Sequence, residues 1–249
     1  MNKDKKYKII RSFGLPFFKL YYHPNIIGKE NIPVNGPLVI CGNYLNILDQ
    51  IPVMCSTKRI IHWMIKKDDF QGKYGKIMDE IGTIWIDEHN NYLEEAMEYL
   101  RNGEVVGVFP EGIRNSYRLT QLRIMRLEKK LLEIHNMKYL SGTDCMNMTY
   151  FTQKEINEEI KKLEIIKQRL LSNGIQVVDK DILLPFKDDA VRIAKETDAS
   201  IVPFSVTGSY VKNSNDLVVR FDSSFKVDNI EEANKNLRNK VKQLIIKNY

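Results

Sequence analysis

Short apolar runs alternate with amphipathic stretches along most of this chain, and that alternation fixes the fold class. Leu38-Val39-Ile40-Cys41, entered through Gly36-Pro37, reads as a strand buried on both faces. Arg59–Ile65, Thr83–Ile86, Val105–Phe109, Ile201–Val206 and Leu217–Phe221 read as further strands. Helical patterns separate most of them, at Ile47–Ser56, Tyr74–Ile81, Tyr92–Arg101, Phe186–Thr197 and Glu231–Ile246. Strands joined by helices require crossover connections. The expectation is therefore α/β, with a largely parallel central sheet covered by helices on both faces. The chain's 249 residues suffice for one such domain with a sizeable core. No run reaches the ~18 uninterrupted apolar residues of a membrane span. Cys41, Cys55 and Cys145 are odd in number and lack CxxC spacing. A disulfide framework or zinc cluster is not expected, and the count fits a reducing cytosol.

Charge is unevenly placed. Residues 1–24 hold Lys3, Lys5, Lys6, Lys8, Arg11 and Lys19 against Asp4 alone, a net of +5 out of +6 for the whole chain. A basic arm on a nearly neutral body points to an anionic surface met at one end. Arg11, Gly14, Pro16 and Lys19 interrupt any apolar run there, so the segment is not read as a signal peptide. On a helical wheel Ile10, Phe13, Phe17, Leu20 and Tyr21 share one face, with Lys5, Lys8, Arg11 and Lys19 opposite; Lys6 and Phe18 do not fit. Gly14 and Pro16 should bend or interrupt the helix. Two uses suit this pattern, an in-plane membrane helix or a helix packed on the protein's own core with a solvated basic face. Composition does not choose between them.

Residues 116–182 break the alternation and read as an inserted helical hairpin, roughly Arg118–His135 and Gln153–Ser172. A capping box, Thr152-Gln-Lys-Glu155, opens the second helix. The first gathers Arg118, Arg123, Arg126, Lys129 and Lys130 on one arc and Ile124, Met125, Leu127, Leu131, Leu132 and Ile134 on the other. It suits a membrane, a protein partner, or a hairpin closed on itself. The domain reading is thus a membrane-facing arm, 1–24, and an α/β domain, 25–249, interrupted by 116–182.

Two stretches directly follow buried strands: Gly42-Asn43-Tyr44-Leu45-Asn46-Ile47-Leu48-Asp49 and Phe109-Pro110-Glu111-Gly112-Ile113-Arg114-Asn115. In open α/β sheets ligands gather at the carboxyl ends of strands, so both should face one crevice. Arg114 suits phosphate, because its planar fork holds two oxygens and keeps its charge. Gly112 permits a tight turn there. Gly72-Lys-Tyr-Gly-Lys76 is a phosphate loop only superficially, lacking GxxxxGK[ST]. No metal site and no nucleic-acid partner are expected.

These stretches resemble the 1-acyl-glycerol-3-phosphate acyltransferase (lysophospholipid acyltransferase) family. Gly28-Lys-Glu-Asn-Ile-Pro33 with Gly36-Pro37 looks like its lead-in, and Asn43-Tyr-Leu-Asn-Ile-Leu-Asp49 aligns with its NHxSxxD motif. Lys66 through Gly82-Thr-Ile-Trp-Ile-Asp87 is similar to the second block. Phe109-Pro-Glu-Gly-Ile-Arg114 matches FPEGxR, and Leu184-Pro-Phe-Lys187 and Ile201-Val-Pro-Phe204 match later elements. The resemblance implies a mixed, largely parallel sheet of the glycerol-phosphate acyltransferase kind. It implies transfer of a fatty acyl group from acyl-CoA or acyl carrier protein, as co-substrate, to a lysophospholipid such as lysophosphatidate. No other cofactor is implied. The expected place is cytoplasmic, peripheral on the inner face of the cell membrane.

In the family the motif histidine is the general base and the aspartate orients it. Carried over, Asp49 is the orienter, Asn43 and Asn46 belong to the substrate-binding set, and Glu111, Gly112 and Arg114 form the phosphate-binding element. The base position is Tyr44. A phenol is ionised in only ~1 molecule per 1000 at pH 7, and a positioned base is worth ~10²–10⁴ in rate. Tyr44 is better suited to donate a hydrogen bond, to a carbonyl or phosphate oxygen or to Asp49. Where the family usually has arginine after the second-block aspartate, Glu88 follows Asp87. His62, among apolar neighbours, reads as a core histidine, and His89 lies in a loop that could approach the crevice. The expectation is an acyltransferase with impaired or altered activity, the alternative an inactive lipid-binding or partner-recruiting protein on the same scaffold.

Overall fold

The computed structural model describes residues 3–67, 73–87, 89–114, 127–128, 130–135, 157–158, 160–165, 168, 182–208, 210–212 and 216–248. They fall into two units, Met1–Arg114 with Leu183–Asn248, and Asn115–Ile182. Within the second, the described stretches 130–135 and 160–165 are helical. Of the proposed helix boundaries His135 is described, while Arg118, Gln153 and Ser172, the capping box and most of the basic arc lie outside the described residues.

In the first unit seven strands form one sheet: Asn25–Ile27 (β1), Leu38–Gly42 (β2), Ile61–Lys66 (β3), Ile84–Ile86 (β4), Val105–Val108 (β5), Ser200–Thr207 (β6) and Val218–Phe221 (β7). Their spatial order is β1-β7-β6-β2-β5-β3-β4. All neighbours are parallel except β6 and β7, which run antiparallel. The sheet is mixed and largely parallel, as expected. β1 was not foreseen; at three residues it carries no periodicity to read.

Both faces are covered. Leu38 and Ile40 of β2, Ile61, Trp63 and Ile65 of β3, and Val202, Phe204 and Val206 of β6 belong to one core cluster. The alternate residues Val39, Cys41 and Ile201 point the other way and are equally buried. Helices Lys3–Tyr22 (α1), Gln50–Met54 (α2), Lys73–Glu80 (α3), Tyr92–Arg101 (α4), Asp189–Glu196 (α5) and Ile230–Ile246 (α6) surround the sheet. α6 shows why a helix settles there. Asn229 accepts from the Glu232 amide as its N-cap, and Ala233, Leu237, Val241 and Leu244 form the buried stripe. β5 passes under Trp63 at Gly107, where a Cβ would lie 2.4 Å from the indole ring.

α1 corrects two expectations. Of the bend or interruption expected at Gly14 and Pro16, the interruption does not occur, since the helix is continuous there, so docking outweighs the ~3 kcal/mol that an interior proline costs. The docked stripe is also not the foreseen one. Tyr7, Leu15 and Phe18 are buried in the core cluster, while Ile10, Phe13, Phe17 and Leu20 remain exposed. Arg11 lies on the docked side, its guanidinium donating to the carbonyls of Thr57 and Lys58. α2 is shorter than the span read from sequence, because residues 45–48 form a turn that Asp49 and Asn46 hold.

Candidate active site

β2, β5 and β6 lie side by side and parallel, so three loops leave the sheet together at its carboxyl end: Asn43–Asp49, Phe109–Arg114 and the stretch through Tyr210. Both motif stretches and one unforeseen segment meet there.

The loop after β2 is pinned at both ends. Asn43, fully buried, donates through Nδ2 to the Val206 carbonyl at 2.8 Å and accepts the Val206 amide through Oδ1 at 2.9 Å. Its side-chain amide thus extends the ladder between β2 and β6 by one rung. At the other end Asp49, 1% exposed, accepts the amides of Leu45 and Asn46 through Oδ2 at 2.6 and 2.8 Å. Oδ1 of Asn46 accepts the Leu48 amide at 3.0 Å, closing an Asx turn. The remaining oxygen of Asp49, Oδ1, accepts the hydroxyl of Tyr210 at 2.7 Å. Burial, then the charge and hydrogen bond of Asp49, push the Tyr210 phenol well above its ordinary pKa, so it stays a donor.

Tyr44 turns its ring inward. It is 6% exposed and stacks on Phe109, with centroids 4.5 Å apart. Its backbone amide donates to Oε1 of Glu111 at 3.3 Å, and Oε2 of Glu111 accepts the amide of Leu184 at 3.1 Å. The buried Glu111 carboxylate therefore ties the two motif loops to the Leu184–Lys187 segment. Gly112 takes φ +69°, where L side chains are strained. The stem of Lys187 crosses it, since a Cβ there would lie 3.0 Å from Lys187 Cε. The backbone amide of Lys187 donates to the Pro110 carbonyl at 2.8 Å. Arg114 is exposed at the end of the loop. Asn43, Tyr44, Asn46, Asp49, Glu111, Gly112 and Arg114 thus lie on two neighbouring loops, the buried carboxylates bonding to backbone amides and, from Asp49, to the Tyr210 hydroxyl, with the cations Arg114 and Lys187 exposed. In the sequence Lys187 carries no signal beyond its place in the Leu184-Pro-Phe-Lys187 block.

The histidines sort as the sequence suggested for His62. Its Nδ1 meets the Gly82 carbonyl at 2.9 Å and its Nε2 meets Glu104 Oε2 at 2.6 Å, with the ring stacked on Tyr99. That is a satisfied core histidine. His89 is exposed, its backbone amide on Asp87, and Glu88 lies outside the described residues. Tyr210 was missed. Its only sequence signal was position, just beyond the last buried residue of a central strand.

The chain resembles known proteins in sequence and in shape. It is 31% identical over 96 residues to the 1-acyl-sn-glycerol-3-phosphate acyltransferase of Bacillus subtilis (strain 168), a match covering 36% of this chain and 48% of that protein. The chain thus matches about half the length of that relative. The crystal structure of the 1-acyl-sn-glycerophosphate (LPA) acyltransferase PlsC from Thermotoga maritima superposes with a TM-score of 0.58 at 17% identity, over 97% of this chain and 78% of that one. That likeness shows a shared fold. The sequence profile of the Acyltransferase family matches residues 23–207, so the chain belongs to the Acyltransferase family.

Proposed function

We propose that this protein is a membrane-surface O-acyltransferase acting on a lysophospholipid, with lysophosphatidate as the reference acceptor and acyl-CoA or acyl carrier protein as donor. The observation that carries the reading is the junction of the two motif loops. Glu111 holds the Tyr44 amide, so the base position and the Arg114 loop adjoin at the carboxyl ends of β2 and β5. In the reaction the acceptor hydroxyl oxygen attacks the thioester carbonyl carbon, the C–O bond forms, the C–S bond breaks, and the hydroxyl proton ends on the departing thiol. Arg114, with Glu111 and Gly112 shaping its loop, would hold the acceptor phosphate. Asn43, Asn46 and Asp49 keep the opposing loop in place. Positioning two substrates supplies much of the rate without a strong base. Tyr44 in the histidine position makes turnover slow, by a factor on the order of 10²–10⁴.

Membrane contact belongs to the same reading. The outward face of α1, with Phe13, Phe17 and Leu20 exposed, suits the headgroup region of an anionic bilayer, and Lys5, Lys8 and Lys19 are exposed on other sides of the same helix. No helix among the described residues is long and apolar enough to cross a membrane. The proposed place is the inner face of the cell membrane, where cytoplasmic acyl donors are available.

A second reading, a catalytically inactive lipid-binding protein, is favoured by the ring of Tyr44, buried against Phe109. One assay separates them: acyl transfer from acyl-CoA or acyl carrier protein to lysophosphatidate by wild type, Tyr44→His and Asp49→Ala. Slow wild-type turnover that falls in Asp49→Ala supports the enzyme. No turnover in wild type, with recovery in Tyr44→His, leaves the lipid-binding reading.

A further inference from the structure

The ring of Tyr210 packs against α1. Its centroid lies 6.3 Å from that of Phe18 and 5.7 Å from that of Tyr22, the latter edge-on. Phe18 and Tyr22, four residues apart on the docked stripe, also contact each other at 4.8 Å. Two residues on, the ammonium of Lys212 sits 5.4 Å from the Tyr21 ring centroid. The segment leaving β6 is therefore seated on the last turn of α1. From that seat the Tyr210 hydroxyl reaches Asp49 Oδ1, and the other oxygen of Asp49 holds the amides of Leu45 and Asn46.

We infer that Tyr210 is a positioning residue that links the seating of α1 to the Asn43–Asp49 loop. Phe18 and Tyr22 fix its ring, its hydroxyl fixes the Asp49 carboxylate, and the carboxylate fixes the loop backbone. The contacts form one unbroken path from a surface helix to the backbone of Leu45 and Asn46, next to the base position. Each link is directional: a ring edge, a hydroxyl donor, two amide donors. Because Asp49 is 1% exposed, water cannot readily replace the phenol if α1 shifts. The opposite face of α1 is the one proposed to meet lipid, so whatever reseats that helix acts on the loop through Tyr210. The effect on turnover rests on the acyltransferase reading; the structural link does not.

Amide hydrogen exchange on the full chain tests the link, with Tyr210→Phe keeping the ring contacts and losing the hydroxyl. Tyr22→Ala, or Tyr22→Leu if the alanine variant fails to fold, keeps the hydroxyl and removes one wall of its seat. Gly14→Ala serves as control, because a Cβ there meets nothing within 4 Å. The Leu45 and Asn46 amides should exchange about tenfold faster in the Tyr210 and Tyr22 variants. Amides of β2 should keep wild-type protection, and Gly14→Ala should change nothing at Leu45 or Asn46. In the lysophosphatidate assay the same two variants should lower kcat about tenfold, with KM within about twofold. Unchanged exchange at Leu45 and Asn46 in Tyr210→Phe overturns the inference. Faster exchange in Tyr210→Phe with none in the Tyr22 variant also overturns it, by reducing Tyr210 to a local bond. A wild type without turnover removes the acyltransferase reading, while the exchange result still decides the link.

Discussion

The ring of Tyr44 lies 4.5 Å from that of Phe109 with planes 18° from parallel, and Phe109 lies in the same way on Trp63, at 4.9 Å and 12°. The residue that the sequence resemblance aligns with the motif histidine is the end leaf of a three-ring stack. Aromatic stacking adds ~0.5–1.5 kcal/mol to the area buried. Tyr44→Ala should therefore lower unfolding stability by about 3–5 kcal/mol, read as the midpoint of urea unfolding. Tyr44→His keeps a planar ring in the stack and should cost far less. That makes it a usable probe of catalysis: a Tyr44→His variant as unstable as Tyr44→Ala would show that the stack does not accept an imidazole.

Glu111 joins three segments because both of its oxygens accept backbone amides, from Tyr44 and from Leu184. In Glu111→Gln one of those amides faces an NH₂ group, donor against donor. The expected loss is about 1–3 kcal/mol, with faster amide exchange at Tyr44 and Leu184. Activity should fall with it, since the same bond sets the spacing of the two motif loops. A fully stable Glu111→Gln with unchanged exchange at both amides would contradict the clamp.

Tyr7 contributes to the alkaline limit of the fold, beside Cys41, Cys55 and Tyr210, whose pKa values burial also raises. Burial raises its phenol to about 12, against the smaller opposing effects of the hydrogen bond from the Ile61 amide and of Arg11. An unfolded tyrosine ionises near 10. The folded state thus holds the proton more tightly, and the stabilisation is complete below pH 10. Between pH 10 and 12 the unfolded chain ionises first, and stability falls by ~1.4 kcal/mol per pH unit, on the order of 3 kcal/mol by pH 12. Tyr7→Phe should flatten that slope in urea titrations at successive pH values. Its cost near neutrality should be the smaller one of an Ile61 amide without its hydroxyl partner.

The strands at the centre of the sheet were legible because burial on both faces forces uninterrupted apolar residues, as in Leu38–Cys41 and Ile201–Val206. The two motif loops followed from their positions after such strands. α1 was harder, because it has two stripes. The larger apolar one, with Phe13, Phe17 and Leu20, stands outward. The docked one contains Tyr7, Arg11 and Tyr22, whose polar tips make it look solvated in sequence. Arg11 is accommodated by two backbone carbonyls of the turn at Thr57 and Lys58, a partnership that periodicity cannot show. The hydroxyl on Asp49 was equally hidden. Tyr210 lies 161 residues away, and only the pairing of β6 beside β2 brings the two together.

The outward stripe of α1 supports the last prediction. Phe13 and Phe17 are 78% and 67% exposed, and exposed side chains contribute little to the fold, so Phe13→Ser with Phe17→Ser should leave the urea midpoint within about 0.5 kcal/mol of wild type. Burying one phenylalanine in an apolar phase is worth ~1.5–3 kcal/mol, so the pair should lower affinity for vesicles by about 100-fold or more. Lys5, Lys8 and Lys19 are exposed elsewhere on the same helix, whereas Lys6 bridges to Glu80 at 3.2 Å and is partly engaged within the protein. Replacing these three exposed lysines by glutamine should weaken binding to anionic vesicles by ~1 kcal/mol each. It should spare binding to neutral vesicles, and salt should erase the difference. Flotation of wild type and both variants on anionic and neutral vesicles reads all of this. Should both variants float like wild type, α1 is not the membrane contact, and its exposed aromatics require another partner.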